Sequence, residues 1–167
     1  MHIRRATTSD ITAIMLLIKK VIPLMRAAGN LQWDDNYPNP EKFALDISKN
    51  QLWVAEEDGK IAGVAALTID QDPEYADVGW DITEPAIVTH RLAVDPDFQG
   101  RGVAAALLNI AEGIALERGF KTLRIDTNNN NKATQALFPK LGYKFCGEIG
   151  LQFRPGLRFY CYEKRLD

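Results

Sequence analysis

The residues from His90 to Ala104, His-Arg-Leu-Ala-Val-Asp-Pro-Asp-Phe-Gln-Gly-Arg-Gly-Val-Ala, hold the densest candidate chemistry in this sequence. Glycines at 100 and 102 permit close backbone approach. The amides of Gly100 to Ala105 open a predicted helix, where unpaired N–H groups and the macrodipole favour an anion such as phosphate. Arg101 could add a charge-assisted contact, or it could simply cover the helix start. The glycine spacing alone also suits an ordinary tight strand-to-helix turn. A dinucleotide fingerprint would need a third glycine where Ala105 stands, and a P-loop would need Gly-Lys-Ser/Thr, which is absent.

The elements that must position this stretch are legible from periodicity and turn signals. Ile3 to Ala6 reads as a strand, and Thr7-Thr8-Ser9-Asp10 supplies capping chemistry for a helix. In that helix Ile11, Ile14, Ile18, Val21, Ile22 and Met25 recur at helical spacing, with a kink expected at Pro23 and a stop at Ala28-Gly29-Asn30. Glu41 to Lys49 is a second helix. Gln51 to Glu57 and Lys60 to Ile69 form a hairpin about Asp58-Gly59, because both residues tolerate the positive φ of a tight turn. An acidic loop, Asp70 to Glu84, precedes a fourth strand, Ala86 to Val94. A helix from Val103 ends at Arg118-Gly119. Lys121 to Thr127 is a strand, Asn131 to Leu141 a helix, and Tyr143 to Ile149 and Leu157 to Lys164 are the last two strands. A meander followed by two strand-helix-strand crossovers predicts a mixed sheet with helices on both faces.

Gln99-x-x-Gly102-x-Ala104, after Leu92-Ala93-Val94-Asp95-Pro96 and before a helix, resembles the acyl-CoA signature of the GNAT superfamily of N-acyltransferases. Asn131, Leu137-Phe138 and Leu141-Gly142-Tyr143 stand where that family has an asparagine before the next helix, an aromatic and a Gly-Phe or Gly-Tyr ending. These motifs cover about residues 86 to 145, and the order of elements agrees over nearly the whole chain. The resemblance implies an α/β fold with a central sheet of about seven strands, splayed between the fourth and fifth at a bulge in the fourth, with acetyl-CoA as acyl donor. Leu92, Ala93 and Val94 would then offer backbone groups to the pantetheine arm, as if it were an added strand. Gln99, Gly100, Arg101, Gly102, Val103, Ala104 and Ala105 would hold the pyrophosphate, and Asn131 would approach from the following helix.

Transfer requires an amine that attacks while neutral, so some group must accept a proton, and the departing thiolate must be stabilised or protonated. His90 is the candidate base, because some family members resemble this chain in having a histidine here. Strand alternation places it on the face shared by Leu92 and Val94. A lone strand histidine also serves structural roles. Asp77, Asp81 and Glu84 are rival bases through water, although solvated charge explains an acidic loop equally well. The family's usual acid is a tyrosine where this chain has Phe138. Tyr143, Tyr160 and Cys146 are possible substitutes, or the thiolate leaves unassisted.

In this fold the acceptor cleft borders the segment between the first two helices and the loop before the fourth strand. Trp33, Tyr37, Trp80 and Tyr75 are therefore candidate lining residues for an apolar or cationic amine, unless they simply close the core. Asp34 and Asp35 could attract a cation, weakly.

Composition bounds the rest. The 167 residues, 46% hydrophobic and 25% charged, suit one soluble domain over 1–167 with its own core. Twenty basic and 22 acidic residues give a net charge of −2 with no basic block, which argues against nucleic acid. No apolar run reaches bilayer length and no signal peptide opens the chain, so no membrane association and a cytoplasmic location are expected. Cys146 and Cys161 lack metal-site spacing, so free thiols and no metal are expected. The sequence thus points to direct acetyl transfer from acetyl-CoA to a primary amine of a small molecule or peptide. The alternative is a non-catalytic acyl-CoA-binding or sensing module. The final strands could also pair two copies as a homodimer.

Overall fold

Asp10 begins the fold's first helical turn by gathering what the local backbone leaves unpaired. Its carboxylate accepts the Thr7 amide at 2.7 Å and two nitrogens of Arg4 at 2.8 and 2.9 Å. The structure, a computed structural model, describes residues 1–167. Strand β1 (His2–Arg5) leads through this turn into α1 (Ile11–Ala27) and α2 (Pro40–Ser48). The helical span of α1 continues through the exposed Pro23. Strands β2 (Leu52–Glu57) and β3 (Lys60–Thr68) join at Asp58 and Gly59, both at positive φ as the turn requires. The acidic loop contains a short 3-10 helix, Pro73–Val78, which loop composition did not suggest. Strand β4 (Ile87–Val94), α3 (Val103–Glu117), β5 (Thr122–Asn128), α4 (Lys132–Lys140), β6 (Lys144–Leu151) and β7 (Arg154–Arg165) complete the chain.

The seven strands form one sheet in the order β1-β2-β3-β4-β5-β7-β6. Every neighbouring pair is antiparallel except β4 and β5, which run parallel around the α3 crossover. This is the mixed, helix-flanked α/β sheet expected.

Helix α3 buries Val103, Leu107, Leu108, Ala111 and Ala115 on one face of the sheet, against Ala65, Leu67, Ile87, Leu123 and Ile125. The opposite face carries two separate cores. Ile14, Leu17 and Ile18 of α1 and Phe43 of α2 cover Val54, Val64 and Ala66. Tyr75, Trp80 and Ile149 pack with Val88, Phe159 and Cys161. The space between those two cores lies over the junction of β4 and β5.

Candidate active site at the opened sheet

Strands β4 and β5 pair only through Ile87↔Leu123, Val88↔Arg124 and Thr89↔Ile125. Beyond those pairs β4 runs on to Val94 and β5 to Asn128 without bonding one another. The cause is a bulge. Ala66 pairs with His90 and Val64 with Ala93, so Arg91 and Leu92 together oppose the single residue Ala65. Arg91 sits at φ 53°, in the left-handed region that costs a side-chain-bearing residue about 1 kcal/mol or more.

The bulge corrects the sequence-based placement of His90. An uninterrupted strand would put His90, Leu92 and Val94 on one face, but the extra residue reverses the phase. Leu92 and Val94 pack against the α3 core, whereas His90 follows Val88 and Ala66 to the opposite face. Arg91 projects there too. It pairs with Asp46 of α2 through Nε at 2.7 Å and Nη2 at 2.8 Å, while Nη1 lies 3.1 Å from the Tyr37 hydroxyl.

A cavity of about 810 Å³ occupies the opening. Leu92, Ala93, Val94, Gln99, Ala104 and Asn131 line one part of it, facing Ile125 and Thr127 across the gap. Gly100, Arg101, Gly102, Val103 and Ala105 do not line it, and what Gly100 to Ala105 bring is backbone. Gly100 and Gly102 lie at φ 77° and 75°, and Gly102 begins α3 without a side-chain cap. The first bond within that helix runs from the Ala106 amide to the Gly102 carbonyl, leaving the amides of Val103, Ala104 and Ala105 without a helical partner. The Val103 side chain packs into the α3 core. Arg101 is exposed, stacked on the Phe98 ring at 5.1 Å and 3.8 Å from Glu57. Asn131 caps α4 by accepting the Thr134 amide at 3.2 Å. Uncapped amides at a helix start that borders the cavity at Ala104, with an unpaired strand edge along its wall, fit a phosphorylated, extended ligand such as a CoA thioester.

The other part of the cavity contains a group the sequence reading had not assembled. Asp72, His90 and Asp126 bring one donor atom each to within 4.8 Å of one another. The Asp70 carbonyl lies 3.0 Å from His90 Nε2. A carbonyl only accepts, so Nε2 carries hydrogen and Nδ1 is left as the basic nitrogen. Burial raises both carboxyls above the usual aspartate range, an effect that His90 opposes. The Tyr75 hydroxyl donates to Asp126, and burial holds that phenol well above its ordinary value. An imidazole with two carboxylates is also a divalent-cation donor set, and a cation there would compete for the imidazole.

Trp33 and Tyr37 line this end, joined by Phe153. Trp80 does not. It packs edge-on against Tyr75 at 5.1 Å beneath the Arg124 guanidinium at 4.9 Å, drawn into the β6–β7 core by the 3-10 helix preceding it. Tyr75 is likewise buried in that core, reaching the site only through its bond to Asp126. The rival bases also fall outside the cavity. Glu84 bonds Thr122 and Arg165, Asp81 bonds Thr83, and Asp77 is exposed. Among the proposed substitute acids, Tyr143 and Tyr160 pack with the α3 core and Cys146 with the β6–β7 core, whereas the Phe138 ring itself lines the cavity. Asp34 is engaged by Arg154, and Asp35 is exposed.

Comparison with known proteins decides the family. The model of the acetyltransferase (GNAT) family matches residues 19–143. The chain belongs to the GNAT family. This GNAT enzyme is similar to the uncharacterized N-acetyltransferase YhfO of Bacillus subtilis, with 28% identity over 144 residues covering 86% of this chain and 90% of that protein. A GNAT acetyltransferase structure from Streptococcus agalactiae superposes with TM-score 0.83 at 31% identity, covering 99% of this chain and 95% of its own. The fold is shared also by yncA of Salmonella typhimurium, solved with acetyl-CoA, at TM-score 0.72 and 20% identity over 100% of this chain and 94% of that one. No helix is long and apolar enough to cross a membrane.

Proposed function

We propose that residues 1–167 form one N-acetyltransferase domain that takes acetyl-CoA and passes the acetyl group directly to a primary amine of a small molecule or peptide. The observation that carries this reading is the bulge at Arg91. It separates β4 from β5 and, by the same extra residue, turns His90 toward the acceptor end of the opening. The acetyl-CoA bound to the structural neighbour from Salmonella typhimurium supports the choice of donor.

In this reading the α3 amides hold the pyrophosphate, and the β4 edge past Thr89 orients the extended arm. The thioester supplies an activated acetyl group. The acceptor reaches the cavity as an ammonium ion, drawn by the carboxylates of Asp72 and Asp126. His90 Nδ1 accepts its proton, directly or through one water, so that the amine can attack. Burial, which raises both carboxyls, moderates the pull of this pair. Phe138 cannot donate a proton, so the leaving thiolate relies on the backbone donors and dipoles around it.

Phe138 also favours a second reading, an acyl-CoA sensor without turnover. Release of free thiol from acetyl-CoA across a panel of primary amines separates the two. Acceptor-dependent release supports the transferase, and tight binding with none across the panel supports the sensor.

A further inference from the structure

We infer that residues 29–37 form a strap fastened across the opened sheet, and that this strap admits a free amine and excludes a lysine within a polypeptide. The inference rests on the acetyltransferase reading above and narrows its acceptor.

The sheet divides at the splay into two halves. One comprises β1 to β4 with α1 and α2, the other β5, β7 and β6 with α4, and past Thr89 no strand pairing joins them. The chain leaving α1 makes the missing connection. At its start the Gly29 carbonyl accepts from Asn130 Nδ2 at 3.0 Å, and Asn130 lies in the turn between β5 and α4. At its far end the Asp34 carboxylate accepts from Arg154 Nη1 at 3.1 Å, at the beginning of β7. The other Asp34 oxygen holds its own loop through the amides of Asn36 and Tyr37, at 2.8 and 3.1 Å. One carboxylate therefore fixes the shape of the strap and fastens it to the opposite half.

Aromatic packing reinforces the second fastening. The Tyr37 ring meets Phe153 edge-on at 5.9 Å, and the Arg154 guanidinium lies over Tyr37 at 5.4 Å. Between the two fastenings Trp33 is buried against the α1 core, and its carbonyl accepts from Arg26 at 3.2 Å. The inner side of the strap, with Gln32, Trp33 and Tyr37, lines the cavity.

A free amine can enter such a covered opening end-on. The backbone of a lysine within a polypeptide continues in both directions, and it would have to displace the strap to bring the amine to His90. Acceptor selection then depends on residues that touch neither His90 nor the α3 amides.

The test compares kcat/KM for free primary alkylamines with that for an N-terminally blocked peptide bearing one internal lysine. It uses the wild type, Arg154→Ala, Asp34→Asn and the exchanged pair Asp34→Arg with Arg154→Asp, and acetyl-CoA affinity is titrated for each. We expect the wild type to favour the free amine by about 100-fold, Arg154→Ala and Asp34→Asn to narrow that ratio about tenfold, and the exchanged pair to regain part of it. Acetyl-CoA affinity should not change. Equal use of both acceptors by the wild type, or a ratio unmoved by either single substitution, overturns the strap. A wild type that binds acetyl-CoA yet acetylates neither acceptor overturns the underlying acetyltransferase reading, and it shows as absent turnover rather than an altered ratio.

Discussion

Arg91 closes a two-pronged ion pair on Asp46, and the Asp46 side chain is wholly buried while Arg91 is only 7% exposed. Gln51 adds a further hydrogen bond to the same carboxylate at 2.9 Å. The pair ties α2 to the bulge of β4, and it offsets the strain of the positive φ that opens the sheet. Structure and site thus share one contact.

Removing one partner of this pair leaves the other buried and uncompensated. Arg91→Ala is expected to destabilise the fold by about 3 to 5 kcal/mol. The double substitution Arg91→Met with Asp46→Leu should be less damaging than either single truncation. Urea denaturation checks both, and a double variant as unstable as the sum of its single truncations would contradict the uncompensated-charge account.

Asp126 should behave in the opposite sense. Burial holds its folded-state carboxyl above the ordinary value, so its ionised form costs stability at neutral pH, and that cost lessens as pH falls. Asn keeps an acceptor for the Tyr75 hydroxyl. Asp126→Asn is therefore expected to raise the melting temperature at pH 7, to lose that advantage toward acid pH, and to lower turnover with cationic amines. A melting temperature lowered at pH 7 with turnover unchanged would assign Asp126 a purely structural part.

His90→Ala is expected to lower kcat about 100-fold while leaving acetyl-CoA affinity close to that of the wild type. The pH dependence of turnover should change as well, because the group that accepts the proton is gone. Steady-state kinetics from about pH 6 to 9 provide the check. Wild-type rates and an unchanged profile would remove His90 as the base.

The acid stability of the fold should owe something to Arg4 and Asp10. Hydrogen bonds from Arg4, chiefly, hold the Asp10 carboxyl at about 2 against an ordinary 3.8. A depressed folded-state value means that stability is present above the unfolded value and is lost as pH falls toward 2. Because Arg4 is partly exposed, the contribution is about 1 kcal/mol rather than the full shift. Asp10→Asn should be less stable than the wild type near neutral pH by about that amount, a gap that closes at about pH 2, as read by urea midpoints. A gap constant with pH would contradict the ion-pair origin.

The β4–α3 side of the opening was legible because its signals are contiguous: the glycines, the helix start and the strand before them lie within about fifteen residues. The meander and the crossovers followed from the order of elements, and the splay from the family resemblance. The acceptor side was not legible, for three separate physical reasons. Asp72 and Asp126 are 54 positions apart in sequence, and only the sheet brings them to His90. The resemblance implied a bulge in β4 but not its residue, and at Arg91 it reversed the phase on which His90 was placed, since alternation assumes one residue per pleat and Arg91 carries no signal such as glycine at its positive φ. Trp80 went to a neighbouring core because the loop carrying it folds as a 3-10 helix against the β6–β7 hairpin, a tertiary preference that loop composition does not encode.

The central claim is that the opened sheet and the α3 amides receive acetyl-CoA, and isothermal titration tests it most directly. Acetyl-CoA is titrated into the wild type and into Gly102→Glu, with NAD as a control ligand. The expected result is saturable binding of acetyl-CoA to the wild type, none of NAD, and loss of binding in Gly102→Glu. That substitution puts a strained, negatively charged residue where the phosphates are held. No acetyl-CoA binding by the folded wild type, or equal binding by Gly102→Glu, would contradict the account.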